Sequence, residues 1–174
     1  MDGETSGEGL VLNAGGLARA ELADRISQVI PRELLCPAVG AGVVGARLRS
    51  EDTELAALVR GLDDPGTRLA VTAERAMLQR LQGDCGSPVA GHCTVEEDGS
   101  LSLVGMVFSD CGGAFLCEQA NRPASEAEAL GEGVADALLS QGARPLLTPD
   151  RRAREERAAM ERRARAQYPR HAPW

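Results

Sequence analysis

Residues 88–119 hold three strand-length runs separated by two turn signals, and this pattern limits the fold more than any other stretch. In the middle run, Leu101, Leu103, Gly105 and Val107 alternate with Ser102, Val104, Met106 and Phe108. Both sets are largely apolar, which predicts a central strand covered on its two faces. Glu97-Asp98-Gly99-Ser100 and Asp110-Cys111-Gly112-Gly113 supply the turn chemistry on either side. Segments 88–96, 100–109 and 113–119 therefore read as a three-stranded antiparallel meander.

Helical periodicity flanks the meander. Asp63-Asp64-Pro65 is a start signal, with proline at a first helical position. The helix it opens runs to about Leu81 and turns Leu69, Val71, Ala73, Ala76, Met77 and Leu81 inward, stopping at Gln82-Gly83-Asp84. A second helix is expected over 125–139, with Leu130, Val134, Ala137 and Leu138 inward and Ser125 with Glu128 as a capping box. A third opens at Ser50-Glu51-Asp52 and presents Leu55, Leu58, Val59 and Leu62. The fold class is α+β: a three-stranded antiparallel sheet covered by helices.

Upstream, 9–12 reads as a short buried strand, 17–29 as a helix carrying Leu22, Ile26 and Val29, and 39–49 as a strand reached through glycines. The domain reading has four parts. Residues 1–9 are a disordered leader, 10–50 a remnant of neighbouring α/β domains, 51–148 the α+β domain, and 149–174 an Arg-rich helical tail. The tail carries eight Arg against four acids from Asp150 onward, and reads as a solvated helix, with a partner or RNA contact as the alternative.

Composition narrows the function. With 174 residues and 2% aromatics, the core must come from Leu, Val and Ala. A net charge of -7 argues against general nucleic-acid binding, which needs phosphate neutralisation. No apolar run approaches the roughly 20 residues of a membrane span, and the acidic start is unlike a signal peptide. Five cysteines, an odd number, fit free thiols in a reducing, cytoplasmic compartment.

The loop Leu81-Gln82-Gly83-Asp84-Cys85-Gly86-Ser87-Pro88-Val89 is the most informative stretch for chemistry. A cysteine flanked by glycines on a loop is available for covalent work, whereas structural cysteines pack inside elements. Cys85, His92, Cys93, Cys111 and Cys117 are zinc-type residues, but none falls in a Cys-x-x-Cys knuckle, and no metal site is expected. His92 reads as a half-buried strand residue and Cys36 as packing.

Several separated segments together carry a family resemblance. They are Leu12…Gly15-Gly16-Leu17…Arg19, Pro37-Ala38-Val39-Gly40…Val44-Gly45, Asp64-Pro65…Val71-Thr72-Ala73-Glu74-Arg75-Ala76, Gly83-Asp84-Cys85-Gly86-Ser87-Pro88-Val89-Ala90 and Ala129-Leu130-Gly131…Gly142-Ala143-Arg144. In this order they resemble the C-terminal part of hydroxymethylbilane synthase (porphobilinogen deaminase), a transferase of tetrapyrrole (porphyrin and heme) biosynthesis. The resemblance implies a linear tetrapyrrole assembled from porphobilinogen on a dipyrromethane primer, which is held by a thioether to one cysteine. Cys85 matches that cysteine, which makes 51–148 the cofactor-anchoring domain. Arg19 matches an arginine that binds pyrrole carboxylates, a task suited to guanidinium.

The chain also departs from the family pattern. Gly40-Ala41-Gly42-Val43 stands for Gly-Gln-Gly-Ala, Arg47 replaces a glutamate, and Asp84 and Gly86 replace the Gly and Gln that flank the cysteine. An aspartate beside a thiol is expected to raise its pKa. No Asp matches the family's catalytic aspartate, which belongs to an N-terminal half. The implied function is primer-dependent porphobilinogen polymerisation if that half is supplied in trans. The alternatives are a catalytically inactive pyrrole- or protein-binding relative, or a truncated fragment.

Overall fold

The computed structural model describes residues 9–32, 34–84, 86–109 and 113–147, together with Ala159, Arg162 and Arg163 of the tail, which are helical. Cys85, Cys111, nearly all of the leader and most of the tail lie outside the described residues. The chain divides into two compact units, Met1–Leu35 and Cys36–Trp174.

The second unit is built on the meander. Strands β1 (Val89–Val95), β2 (Ser100–Phe108) and β3 (Phe115–Pro123) form an antiparallel sheet in the order β1-β2-β3. The first hairpin closes through Glu96 and Ser100, with Gly99 at a φ of 80°, a backbone angle that suits glycine. β2 is central, as its two apolar faces require. Its coverage is unequal: Leu101, Leu103, Gly105 and Val107 are buried, whereas Val104, Met106 and Phe108 of the opposite face are half-buried.

The buried face is covered by α3 (Pro65–Arg80), α4 (Ala127–Ser140) and the short α5 (Ala143–Leu147). α3 starts where the sequence places it, with the Asp64 carboxylate accepting from the Thr67 amide at 2.7 Å. Ala73 and Met77 of α3, with Leu81 just past its end, meet Leu130, Val134 and Leu138 from α4 over the sheet. Three glycines set how closely these layers approach. A Cβ at Gly91 would overlap the Met77 methyl, one at Gly105 would overlap the Met77 sulfur, and one at Gly131 would overlap the Ala73 carbonyl oxygen. Arg80 and Asp136 add a two-bond link between the helices at 2.7 and 3.2 Å.

Several expectations are corrected. The capping box at Ser125 and Glu128 does not cap α4: a 3-10 turn, Ala124–Glu126, precedes the helix, and its N-cap Glu126 makes no side-chain cap bond. Glu126 instead receives the Arg122 guanidinium at 2.7 Å. The third helix, α2 (Thr53–Val59), is capped by Asp52 and leads into a 3-10 turn, Arg60–Leu62. Its apolar residues are not a core face, since Leu58 is 78% exposed and Leu62 81%. Segment 39–49 is not a strand. Gly40 and Gly42 take φ angles of 71° and 83° and turn the chain twice, which breaks extended pairing.

In the first unit, 9–12 is extended but pairs with no strand among the described residues. The helix expected over 17–29 is shorter and earlier, α1 (Ala14–Arg19), capped by Asn13. It ends because Glu21 adopts a φ of 57°, with Glu21 bonded back to Ala18 and Leu22 to Leu17. A 3-10 turn, Ala23–Arg25, follows. Among its described residues this unit has no buried side chain. Leu10, Leu12, Leu17, Leu22, Ile26 and Val29 line an open cleft of about 720 Å³.

The glycine contact predicts a pair of opposite outcomes. Gly131→Ala forces a methyl against backbone and should destabilise by about 1–3 kcal/mol. Gly133, two residues along α4, faces open space, so Gly133→Ala should stabilise by up to about 1 kcal/mol. Thermal unfolding of both variants checks this; equal midpoint shifts would remove the close helix contact from the account.

Candidate functional site

The cysteine loop is shaped from both ends. α3 terminates because Gln82 takes a φ of 58°, with Gln82 bonded to Gln79 and Gly83 to Leu78. Space at Gly83 is tight, since a Cβ there would press on the tip of the Leu78 side chain and touch Ser87. Arg144 donates from α5 to the Gln82 side-chain oxygen at 2.9 Å. At the other end the Phe108 amide donates to the Pro88 carbonyl at 2.9 Å, fixing the loop to β2.

Between these ends the turn closes on itself. Asp84 Oδ1 accepts from the Gly86 amide at 2.8 Å and from the Ser87 hydroxyl at 3.1 Å. Ser87 Oγ accepts from the Asp84 amide at 2.8 Å, and the Ser87 amide returns to the Asp84 carbonyl at 3.1 Å. The Gly86 amide, then the Ser87 hydroxyl, hold the Asp84 carboxyl below the usual aspartate range. Cys85 lies outside the described residues, but both of its neighbours, Asp84 and Gly86, are exposed.

Arg19 ends α1 in the first unit and is exposed, with its guanidinium 3.8 Å from where a Gly15 side chain would begin. Ala41 and Arg47 lie on the exposed segment that follows Gly40. The remaining described thiols differ sharply. Cys93 is buried in β1 and its pKa is pushed up to about 11 by that burial, with Glu74 and Glu96 adding. Cys36 is half-buried and also raised, first by burial, then by Cys117 and Glu74. Cys117 is exposed on β3. No group of three or more His, Cys, Asp or Glu among the described residues is arranged to hold a metal ion. No helix of the described residues is long and apolar enough to cross a membrane.

One buried group escaped the sequence reading. Glu74, 5% exposed on α3, accepts from the Cys93 amide at 2.8 Å and the Gly40 amide at 2.7 Å, with His92 Nδ1 at 3.6 Å. Its signal was an acid set between Ala73 and Met77, on a stripe where helical spacing calls for apolar residues.

Comparison with known proteins agrees with this architecture. The family model "Porphobilinogen deaminase, C-terminal domain" matches residues 68–140, and "Porphobilinogen deaminase, dipyromethane cofactor binding domain" matches residues 2–57. The chain belongs to the porphobilinogen deaminase family. It is 41% identical over 140 residues to the porphobilinogen deaminase of Syntrophotalea carbinolica, covering 80% of this chain and 44% of that relative. Against that of Brevibacillus brevis it is 40% identical over 149 residues, covering 86% and 48%. Against that of Synechococcus elongatus it is 42% identical over 140 residues, covering 80% and 43%. The chain thus spans a little under half the length of these relatives. The family binds a dipyrromethane cofactor. The Cys85 loop falls within the C-terminal-domain match, not within the match named for cofactor binding.

The loop geometry has a pH signature. Because Asp84 is depressed in the folded chain, the turn is complete above the ordinary aspartate pKa and opens as pH falls through the lower folded value. The Gly86 amide proton shift should titrate with a midpoint below that of an unstructured aspartate, and Asp84→Asn should abolish the titration. An unchanged Gly86 titration in that variant would sink the assignment.

Proposed function

We propose that this chain is the primer-anchoring part of a porphobilinogen-polymerising enzyme, with Cys85 holding the dipyrromethane group through a thioether. The observation that carries this reading is the loop around position 85. It is tied at Gln82 and Pro88, closed by Asp84 and Ser87, and exposed at its neighbours. Such a loop fits a thioether anchor: a fixed backbone holds the sulfur in place while an exposed tip leaves room for a growing chain.

When bound, the dipyrromethane group supplies the terminal pyrrole carbon that accepts each new unit. This chain's own contribution is positional. Cys85 would hold the group through its sulfur: the thiol would add to the exocyclic methylene of an azafulvene-type pyrrole, the C=C π bond breaking as the sulfur–carbon bond forms and the thiol proton ending on the ring nitrogen, with nothing expelled. Arg19 pairs with an acetate or propionate carboxylate of the pyrroles, where a guanidinium gives two parallel hydrogen bonds. The acid–base residue and the remaining carboxylate clamps come from residues that the relatives carry beyond the matched stretch. The exposed apolar cleft of the first unit supports docking of such residues, supplied on this polypeptide or in trans.

Two outcomes follow. The 174-residue chain by itself should not release hydroxymethylbilane from porphobilinogen, since a positioned acid–base group alone contributes about 10²–10⁴-fold. Co-expressed with the N-terminal portion of the Brevibacillus brevis relative, it should gain the mass of one dipyrromethane. Peptide mapping should place that mass on Cys85, and Cys85→Ala should lose it. An adduct on Cys36, Cys93, Cys111 or Cys117, or none on the co-expressed protein, would overturn the anchor assignment.

A further inference from the structure

We propose that Glu74 is a latch that straps residues 37–40 to the outer edge of β1, and that its release frees that edge and the adjoining Cys36 thiol together. β1 pairs only with β2 inside the sheet, so its outer amides need other partners. Two contacts meet this need, and a third ties in the strap. The Gly91 amide donates to the Pro37 carbonyl at 3.0 Å, and the Cys93 amide to Glu74 Oε1 at 2.8 Å. Glu74 Oε2 accepts from the Gly40 amide at 2.7 Å. One carboxylate therefore bonds both the strand edge and the strap that covers it.

The strap is short and ends abruptly. Val39 packs against the core and lies 3.3 Å from where a Gly91 side chain would begin. Immediately after it, the positive φ angles of Gly40 and Gly42 turn the chain away into the exposed run 41–47. The core of α3, α4 and the sheet does not include residues 37–40 beyond Val39. A segment held by so few contacts opens locally, well below the free energy of global unfolding. Cys36 adjoins the strap and is half-buried, so opening reaches its thiol together with the Cys93 amide, whereas the Cys93 side chain belongs to the core cluster and stays covered. Glu74 is thus a positioning residue for the path by which the chain joins this unit, a role separate from the cofactor reading.

Hydrogen exchange on the full 174-residue chain tests this. In the unsubstituted protein the Gly40 and Cys93 amides should exchange together and at least about tenfold faster than Leu103 at the centre of β2. Glu74→Gln places an amide group where a second acceptor is needed. It should accelerate both amides by about tenfold or more, and raise iodoacetamide labelling of Cys36 in parallel, while the Cys93 thiol and Leu103 keep their protection relative to global stability. Val39→Ala loosens the strap from the other side and should give the same pattern should the Glu74 variant fail to fold. If Gly40 and Cys93 in the unsubstituted chain open only with Leu103, or if both variants leave Cys36 labelling unchanged, there is no latch.

Discussion

The α+β unit depends on contacts made where side chains are missing. Met77 of α3 settles over Gly91 and Gly105, and α4 meets the α3 backbone at Gly131. A chain with almost no aromatics has few large groups to bridge a wide gap between helix and sheet. It closes the gap by bringing the layers together and filling what remains with Leu and Val. Everything that borders this core inherits its position: the end of α3, the first residues of β1 and the start of α5.

The cysteine loop follows from that arrangement. α3 and β1 approach closely enough that a short connection must reverse the chain between them, and Gln82 and Gly83 accomplish the reversal. Asp84 then supplies an acceptor for the Gly86 amide of the turn. The aspartate beside Cys85, which from sequence reads as a liability for a thiolate, is bonded within the turn as a structural acceptor.

The meander and its two long helices were legible because several local signals agree there. Alternation in β2, turn residues at 97–100, Asp64-Pro65 and the Leu130, Val134, Leu138 spacing all point to one structure. Residues 9–50 were misread for a physical reason. A run such as Leu10-Val11-Leu12 has strand character only if a neighbouring strand takes its amides, and apolar composition does not report whether one does. Glu21 stopped its helix in a backbone region that glycine usually occupies, so the usual stop signal was missing there, whereas α3 ended at the Gln82-Gly83-Asp84 signal as read. The turn on either side of position 85 was legible from its glycines; the Glu74 bonds, which link residues 19 and 34 positions apart, were not.

The ties that hold the cysteine loop have a kinetic consequence. Arg144 reaches Gln82 across 62 positions of sequence, and the Phe108 amide reaches Pro88 from the far end of the first hairpin. Contacts between distant positions form late, after the intervening chain has collapsed. α5 must be synthesised and docked before the first tie can close, and β2 must be paired before the second. The fixed form of this loop is accordingly reached only once α5 has docked and β2 has paired. A nascent or half-folded chain therefore lacks the fixed loop, and the order of folding itself delays any chemistry at position 85 until the scaffold is in place.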